Sequence, residues 1–227
     1  MAVSKKLEQS SDLQRRKVLS TAATMFISQG YTATSLRQLA KEADINIGSL
    51  MHQFENKENI LCALMQAVRD GQSRTINTLL SGKTDDKILF WAAENVLLLY
   101  MAETNEPLRD LHITAYSLPK TSEIIRRTIA EKADECFLPY NPGYRAKDFY
   151  EMEIAAGSII RGFMSVPCDM YFTMESKITR YLESVFRIYR VPEEKAAEAI
   201  AFVSQFDFPQ ITQTVIQSLR ASMAADI

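Results

Sequence analysis

The chain has 227 residues, a mass of 25.8 kDa, a formal net charge of −2 at pH 7, and only seven Gly and seven Pro. This size supplies core for one large or two small domains, and the near balance of charges excludes a strongly basic or strongly acidic polyelectrolyte. Apolar residues recur at helical spacing nearly throughout and no strand-like alternation persists, so the sequence predicts an all-α protein.

Neither a membrane span nor a disulfide framework is expected. The first twelve residues are polar and lack the apolar segment of a signal peptide, and the apolar run from Ile88 to Ala102 is interrupted and too short to span a bilayer. Cys62, Cys136 and Cys168 are far apart and form no CxxC, which indicates free thiols in a reducing compartment. We therefore expect a cytoplasmic protein with no membrane partner, no metal and no cofactor.

The first predicted helix runs from about Leu13 to Gln29. Its apolar residues recur on one wide face, residues 10–12 (Ser-Ser-Asp) offer N-caps, and Gly30 is placed to end it.

The most informative segment is residues 34–61, which reads as two short helices joined by a tight turn and followed by a third helix. Thr34 or Ser35 caps the first of these helices, residues 43–45 make the turn, and the second spans Asn46 to Phe54 with Leu50 and Phe54 facing inward. The outward positions of that second helix are Asn46, Ile47, Ser49, Met51, His52 and Gln53. A short helix with a polar, donor-rich outer face suits a DNA major groove, so a helix-turn-helix is predicted, with double-stranded DNA as its partner.

The charge distribution agrees weakly with this interpretation. Residues 1–62 carry eight Lys and Arg against six Asp and Glu, whereas the rest of the chain carries eighteen against twenty-two. The small basic excess thus lies in the segment with the helix-turn-helix.

A long fourth helix is predicted to begin after Asn56, to continue past Gly71 towards Leu80, and to link two parts of the chain. All seven prolines lie beyond residue 106 and mark breaks between later helices. The fifth helix, about Asp85 to Asn105, is apolar nearly all round, which is typical of the centre of a helical bundle. Further helices are expected at about 106–116, 120–137, 147–166, 175–189, 192–204 and 209–224, with a loop at 138–145.

The first 62 residues resemble the TetR family of bacterial transcription regulators. The resemblance rests on residues 26–31 (FISQGY), 34–36 (TSL), Leu39-Ala40 with Ala43, residues 48–50 (GSL) with Phe54, and Lys57-Glu58 with Leu61, all in the family's order. It implies a helix-turn-helix head at residues 1–62, a helical ligand-binding and dimerisation body at residues 63–227, and a two-fold homodimer.

Residue by residue, the resemblance implies two sets of DNA contacts. Ser35, His52, Gln53 and Lys57 match positions that contact phosphate, and Arg37, Ile47, Gly48, Ser49 and Met51 match positions that reach base edges. Three residues depart from the family pattern. Asp44 stands where Gly is usual in the turn, although Asp tolerates left-handed geometry. Met51 replaces a Tyr, and Gln53 replaces a His or Tyr, which bears on the operator sequence more than on the binding mode.

Candidate ligand-binding residues in the body are aromatic, Met and His residues on helices predicted to be buried: Trp91, Tyr100, Met101, His112, Tyr116, Phe163 and Met164. The alternative for each is ordinary core packing, and for His112 a hydrogen-bonded core histidine. No GxGxxG, GxxxxGK[ST], GxSxG or HExxH motif is present, so the sequence favours a protein that is not an enzyme.

Two functions remain open at this point. The first is a transcription regulator, a repressor that a small, largely apolar effector releases from a pseudo-palindromic operator. The second is a helical dimeric binding or scaffold protein that keeps the fold without specific DNA readout, which Met51 favours. A homodimer is expected because the helices at 147–166 and 175–189 carry more apolar residues than one bundle face needs. These residues are Ile154, Ala155, Ile159, Phe163, Ile178, Tyr181, Leu182, Val185 and Phe186.

Overall fold

The computed structural model describes the backbone of residues 2–104 and 106–225 and the side chains of residues 11–104 and 106–218. Over these ranges the regular structure is eleven α-helices and one 3₁₀ turn, with no strand, which confirms the predicted all-α class. The helices are α1 (Ala2–Gln29), α2 (Leu36–Glu42), α3 (Ile47–Phe54), α4 (Lys57–Leu80), α5 (Lys87–Thr104), α6 (Glu106–Ser117), α7 (Pro119–Phe137), α8 (Ala146–Ser165), α9 (Met174–Ile188), α10 (Glu193–Val203) and α11 (Phe208–Ala225). None of the helices in the described part of the chain is both long and apolar enough to cross a bilayer.

The start of α1 is the one large difference from the expected boundaries. The helix begins at Ala2 rather than Leu13, so residues 10–12 lie inside it instead of capping it. The Lys, Leu, Glu and Gln residues around them are strong helix formers, so the helix tolerates Ser and Asp in its interior. The C-terminal end of α1 agrees with expectation, since Gly30 follows it with φ +87°. The expected end of α5 at Asn105 lies outside the described residues.

Local capping explains the helix-turn-helix at the N-terminal end. Ser35 and Gln38 form a capping box at the start of α2, in which each side chain accepts a hydrogen bond from the other residue's backbone N–H. Asp44 in the turn has φ +49°, so an Asp does occupy the left-handed position where the TetR pattern has Gly. Asn46 then caps α3 by accepting a hydrogen bond from the Gly48 N–H at 2.7 Å.

Two buried apolar clusters organise the chain. The head cluster contains residues of α1, α2, α3 and the first half of α4, and α6 and α7 add Leu111, Ala115 and Ile125 to it. The body cluster is centred on α5, where the Trp91 ring contacts the rings of four residues from α7 and α9 and the segment just after α9, namely Phe137, Tyr181, Phe186 and Tyr189.

Helix α4 belongs to both clusters. Its first half packs in the head through Ile60 and Leu61, and its second half packs in the body through Ile76 and Leu80. The boundary expected between residues 62 and 63 therefore falls inside a continuous helix, and the division into two domains stays a prediction. Because α4 is one continuous helix, a movement of its body half would be transmitted to its head end.

Candidate nucleic-acid interface and ligand cavity

The outer face of α3 is open to solvent and partly apolar. Leu50 and Phe54 are buried in the head, whereas Ile47 is 40% exposed and Met51 is 42% exposed on the opposite side. The other predicted contact residues of this region are also exposed: Asn46, Gly48, Ser49 and His52. An exposed apolar pair one turn apart, flanked by short polar side chains, can contact thymine methyl groups and base-edge acceptors in a major groove.

The start of α2 adds an exposed cation beside this face. Arg37 is exposed and forms no salt bridge with any of the described carboxylates. Ser35 is exposed too, but its hydroxyl already takes part in the capping box with Gln38. Arg37 is therefore free to reach a base or phosphate, while Ser35 both caps its helix and lies at the surface.

Lys57 has an internal role that the sequence pattern did not indicate. Its Nζ donates to the carbonyl oxygens of Tyr31 and Thr34, both at 2.8 Å, and lies 4.2 Å from the centre of the Tyr31 ring. Partial burial lowers the pKa of Lys57, and burial raises the pKa of Tyr31 to about 12. An ammonium group has three donors, so Lys57 holds the segment between α1 and α2 with two of them and has a third donor left.

Gln53 faces the first helix in this structure. Its side chain is half-buried, its Nε2 donates to Gln14 Oε1 at 3.4 Å, and its Oε1 is buried without a partner among the described residues. Arg15, the next residue of α1 after Gln14, places its guanidinium carbon 4.6 Å from the centre of the Phe54 ring. The amide of Gln53 thus contributes to the α1–α3 contact.

The body contains a polar cavity enclosed by helices α4 to α9. Its free space is about 40 Å³, room for roughly three water molecules. Aromatic and charged side chains share its wall, and the lining residues are Arg69, Gln72, Ser73, Trp91, Glu94, Asn95, Leu98, Tyr116, Ile129, Lys132, Glu153, Ala156 and Tyr181.

Glu153 is the most buried charged group of this wall. Only 2% of the residue is exposed, and its Oε2 accepts a hydrogen bond from the Tyr189 hydroxyl at 2.7 Å. Burial raises the pKa of Glu153 to about 7, against the lowering effects of the Tyr189 hydrogen bond and of Arg69 and Arg126. A Cβ at Gly157 would lie 3.2 Å from Glu153 Oε1, so the glycine leaves room for the carboxyl group.

An ion pair stands on the more exposed side of the cavity. Lys132 Nζ lies 2.9 Å from Ser73 Oγ and 3.3 Å from Glu94 Oε1, and the Ser73 hydroxyl donates to Glu94 Oε1 at 2.6 Å. The Lys132 side chain is 43% exposed and that of Glu94 is 23% exposed, so this pair borders the mouth.

The seven predicted ligand residues do not line a single site. Trp91 and Tyr116 line the polar cavity, whereas Met101 and His112 line a separate apolar cavity. Tyr100 and Phe163 border open clefts, and Met164 is buried in the core. The seven residues do not share a pocket because neighbouring positions on one helix point towards different helices of the bundle.

The apolar cavity lies between head and body and holds about 50 Å³ of free space. Its walls come from α1, α4, α5, α6 and α11, with His112 as the one ionisable residue among them. His112 Nδ1 is 2.8 Å from the Leu108 carbonyl oxygen, and burial lowers the pKa of the imidazole. The expectation of a hydrogen-bonded core histidine agrees with this geometry.

Sequence reasoning missed Arg69, Glu153 and Tyr181 as cavity residues. For Glu153 a signal was present, because it lies on the apolar stripe of α8 between Phe149 and Ala156. An acidic residue at a core position of an amphipathic helix indicates a buried polar function. Arg69 had no such signal, because its approach to the cavity depends on the packing of α4 against α5 and α7.

The apolar surplus expected for a dimer is smaller than predicted. Ile178, Tyr181, Leu182, Val185 and Phe186 of α9 are buried in the core of their own chain, so they do not belong to the apolar surplus that was expected for a dimer interface. The body cluster around Trp91 uses the whole apolar face of α9. On α8, Ile154 is 51% exposed and Ala155 is exposed, while Ile159 and Phe163 are half-buried.

Comparison with known sequences places the head in a family. Residues 18–64 match the profile described as "Bacterial regulatory proteins, tetR family". YttP of Bacillus subtilis (strain 168), described as a probable HTH-type transcriptional regulator, is 31% identical over 65 residues, which are 29% of this chain and 31% of YttP. The HTH-type transcriptional repressor KstR2 of Mycolicibacterium smegmatis is 44% identical over 48 residues, 21% of this chain and 23% of the repressor. The helix-turn-helix head matches the TetR-family profile, which confirms the resemblance seen in its sequence, and these matches cover less than a third of the relatives' length.

Solved structures extend the similarity to the body as a fold. The crystal structure of RolR in complex with resorcinol aligns with a TM-score of 0.62 at 15% identity and covers 88% of this chain and 97% of RolR. RolR without ligand aligns with a TM-score of 0.56 at 16% identity, covering 83% and 95%. The fold of this chain, an N-terminal helix-turn-helix followed by a C-terminal helical body, is thus similar to that of RolR over most of both chains.

Proposed function

We propose that this protein is a DNA-binding transcription regulator whose operator affinity is set by a small molecule bound in the body. The observation that carries the proposal is the exposed outer face of α3, with Ile47, Ser49 and Met51, in a head that matches the TetR-family profile. An exposed apolar pair on a short, well-capped helix offers a contact surface, and the groove-facing helix of a helix-turn-helix uses such a surface on DNA.

Two copies of the chain would present two such helices to successive major grooves, so the operator is pseudo-palindromic. The exposed part of α8, with Ile154 and Ala155 beside the small residues Ser158 and Gly162, is the self-complementary surface we assign to the homodimer. Small side chains at these positions allow two copies of α8 to approach closely. Light scattering on the full chain at micromolar concentration should give twice the mass of 25.8 kDa.

The polar cavity is the site we assign to the effector. The similarity of this chain's fold to that of RolR, which was crystallised with resorcinol, supports a small aromatic ligand. The sequence pattern favoured a largely apolar effector, but Arg69, Glu94, Lys132 and Glu153 in the wall require polar groups on the ligand to offset their desolvation. The cavity touches the body half of α4, so ligand binding can shift the head and release DNA, with a coupling of about 1–3 kcal/mol.

Selection from a random double-stranded DNA library tests the proposal without knowledge of the operator. The full chain should enrich a pseudo-palindromic sequence, and footprinting should protect both half-sites. Ser49→Glu, which puts a negative charge on the exposed face of α3, should abolish enrichment, and Thr78→Glu on an exposed face of α4 should not. Failure of the folded protein to enrich any sequence would refute the regulator and favour the scaffold protein.

A further inference from the structure

Arg69 lacks an ionic partner although it lines a cavity. Its side chain is half-buried, and no described carboxylate forms a salt bridge with it. The other cation of the wall, Lys132, is paired with Glu94. Removing a guanidinium group partly from water without a counter-charge is unfavourable, so an anion supplied from outside the chain would be stabilised here.

Glu153 forms no salt bridge with Arg69, although the charge of Arg69 opposes the larger effect of burial on the pKa of Glu153. It is buried, its Oε2 already accepts from the Tyr189 hydroxyl, and its Oε1 accepts no hydrogen bond from the described residues. Burial disfavours its charged form, so around neutral pH a large fraction of the carboxyl groups is protonated. A protonated Glu153 can both donate to a ligand and accept from it, and it leaves the positive charge of Arg69 uncompensated.

The remaining walls suit a ring. Trp91 and Tyr181 lie nearly parallel, with ring centres 6.5 Å apart, and Tyr116 lies on another side of the same cavity. The Tyr181 hydroxyl donates to Asn95 Oδ1 at 2.7 Å, which holds its ring in place. Flat aromatic ligands gain both apolar burial and edge-to-face contacts against such walls.

From this arrangement we propose that the cavity binds a small aromatic carboxylate, with the carboxylate on Arg69, the ring against Trp91, Tyr116 and Tyr181, and a ring substituent such as a hydroxyl at Glu153. The proposal rests on the cavity being the effector site proposed above. The planar guanidinium fork of Arg69 matches a carboxylate in bidentate geometry. Because the free space of about 40 Å³ is smaller than a benzene ring, binding requires the walls of the cavity to move apart as well as the Lys132–Glu94 pair.

The location of Arg69 also gives the anion a route to the head. Arg69 lies on α4, four residues after Met65, which packs in the head cluster, and seven before Ile76, which packs in the body cluster. A ligand whose carboxylate binds Arg69 and whose ring contacts α5, α6 and α9 would therefore hold the body against α4. This is the helix that begins at Lys57 in the head. The bound state should differ from the free state in the direction of α4.

Binding of simple probes to the full chain tests this inference. Benzoate and 4-hydroxybenzoate should quench the emission of Trp91, the single tryptophan, and phenol should do so more weakly at equal concentration. Arg69→Gln should weaken both carboxylates at least tenfold and leave phenol unchanged. Arg74→Gln, an exposed arginine on the same helix, is the matched control and should change nothing. Arg69→Lys, which keeps the charge but loses the fork, should give an intermediate loss and guards against a folding defect in the glutamine variant.

The outcomes separate this inference from the proposed function. Phenol binding as tightly as benzoate, absence of quenching by both carboxylates, or unchanged benzoate affinity in folded Arg69→Gln would overturn the aromatic carboxylate. Enrichment of operator DNA by the ligand-free protein is measured in parallel. If DNA is enriched but no carboxylate binds, only the ligand class fails; if carboxylates bind but no DNA is enriched, the regulator fails and the ligand class stands.

Discussion

The head and the body of this protein depart from the usual distribution of side chains in opposite directions. The head leaves apolar side chains in solvent, at Ile47 and Met51 on α3. The body buries charged side chains, at Glu153 and Lys177. Both departures cost stability in the isolated chain, because exposed apolar surface and buried charge are each unfavourable. The exposed apolar face of the head is the surface that we propose for DNA, and the buried carboxyl of Glu153 lines the cavity that we propose for the effector.

Within the body, the two buried charges are themselves different. Lys177 is 1% exposed, and its Nζ donates to Glu103 Oε2 at 2.7 Å and to the Val166 carbonyl at 2.6 Å, so its charge is fully partnered. It fastens the segment between α8 and α9 to α5. Glu153 has one partner, Tyr189, and faces a cavity with the unpaired Arg69. The fully partnered charge of Lys177 has a structural role, whereas the incompletely partnered Glu153 lines the cavity that we propose as the effector site.

The largest expected effect tests Lys177, the buried charge with the structural role. Glu103→Ala leaves Lys177 buried without its carboxylate and should lower the free energy of unfolding by about 3–5 kcal/mol. Urea denaturation measures the loss. Glu135→Ala, which breaks the exposed Lys87–Glu135 pair, is the control and should cost less than about 1 kcal/mol. Equal losses in the two variants would mean that burial of Lys177 has no energetic consequence.

The dependence of the free energy of unfolding on pH tests Glu153, the other buried charge. The pKa of Glu153 is raised to about 7 from an ordinary 4.5, so the folded state holds this proton more tightly than the unfolded state. Its favourable contribution is complete below pH 4.5 and is lost as the pH rises through about 7, a change on the order of 3 kcal/mol. Glu153→Gln, which keeps an acceptor for Tyr189, should lack this decline.

The comparison between wild type and variant is needed because His112 acts with the opposite sign. Burial lowers the pKa of His112, so its contribution to stability grows as the pH rises from that lowered pKa towards 6.5 and is complete above it. This contribution is common to both proteins and cancels in the difference. Parallel curves for wild type and Glu153→Gln between pH 5 and pH 8 would contradict the assignment.

In the head, Lys57→Ala should affect both folding and DNA binding. Loss of the hydrogen bonds to the Tyr31 and Thr34 carbonyls should lower the free energy of unfolding by about 1.5–3 kcal/mol. Loss of a phosphate contact should weaken binding to all sequences alike and reduce the slope of log affinity against log salt by about one. Lys87→Ala in the body is the control for the slope. A destabilised variant with an unaltered slope would assign Lys57 to folding alone.

The smallest expected effect concerns the exposed apolar pair. Ile47→Ala and Met51→Ala should each leave the free energy of unfolding within about 0.5 kcal/mol of wild type, because neither side chain is buried. Each should weaken binding to the selected operator by about 1–3 kcal/mol, and most strongly where a thymine is replaced. Fluorescence anisotropy measures the affinity, and Leu138→Ala, an equally exposed apolar residue in the body, is the control. Operator affinity unchanged by both substitutions would place the docking surface elsewhere.

The sequence by itself determined the elements of this protein and the architecture of its head. Capping residues, turn residues and helical periodicity act between neighbours in the chain, so Ser35 could be named with Thr34 as a candidate cap, and Asp44 could be placed in the turn, before any tertiary contact was known. Asn46, expected as the first residue of its helix, is the N-cap instead. Except at the start of α1 and at the undescribed Asn105, the helix ends agree with expectation within two residues. The inward residues of α3, Leu50 and Phe54, follow from the same local periodicity.

Only the tertiary structure decided the internal role of Lys57 and the composition of the cavity. The carbonyls that Lys57 binds lie 23 and 26 residues away in the chain, and the cavity combines residues from α4 to α9. Helical periodicity specifies which face of a helix is buried, but not which neighbouring helix it meets. That choice placed Trp91 and Tyr116 in one cavity and Met101 and His112 in another, and it brought Arg69 and Glu153 to a common wall because α4 and α8 pack around the same space.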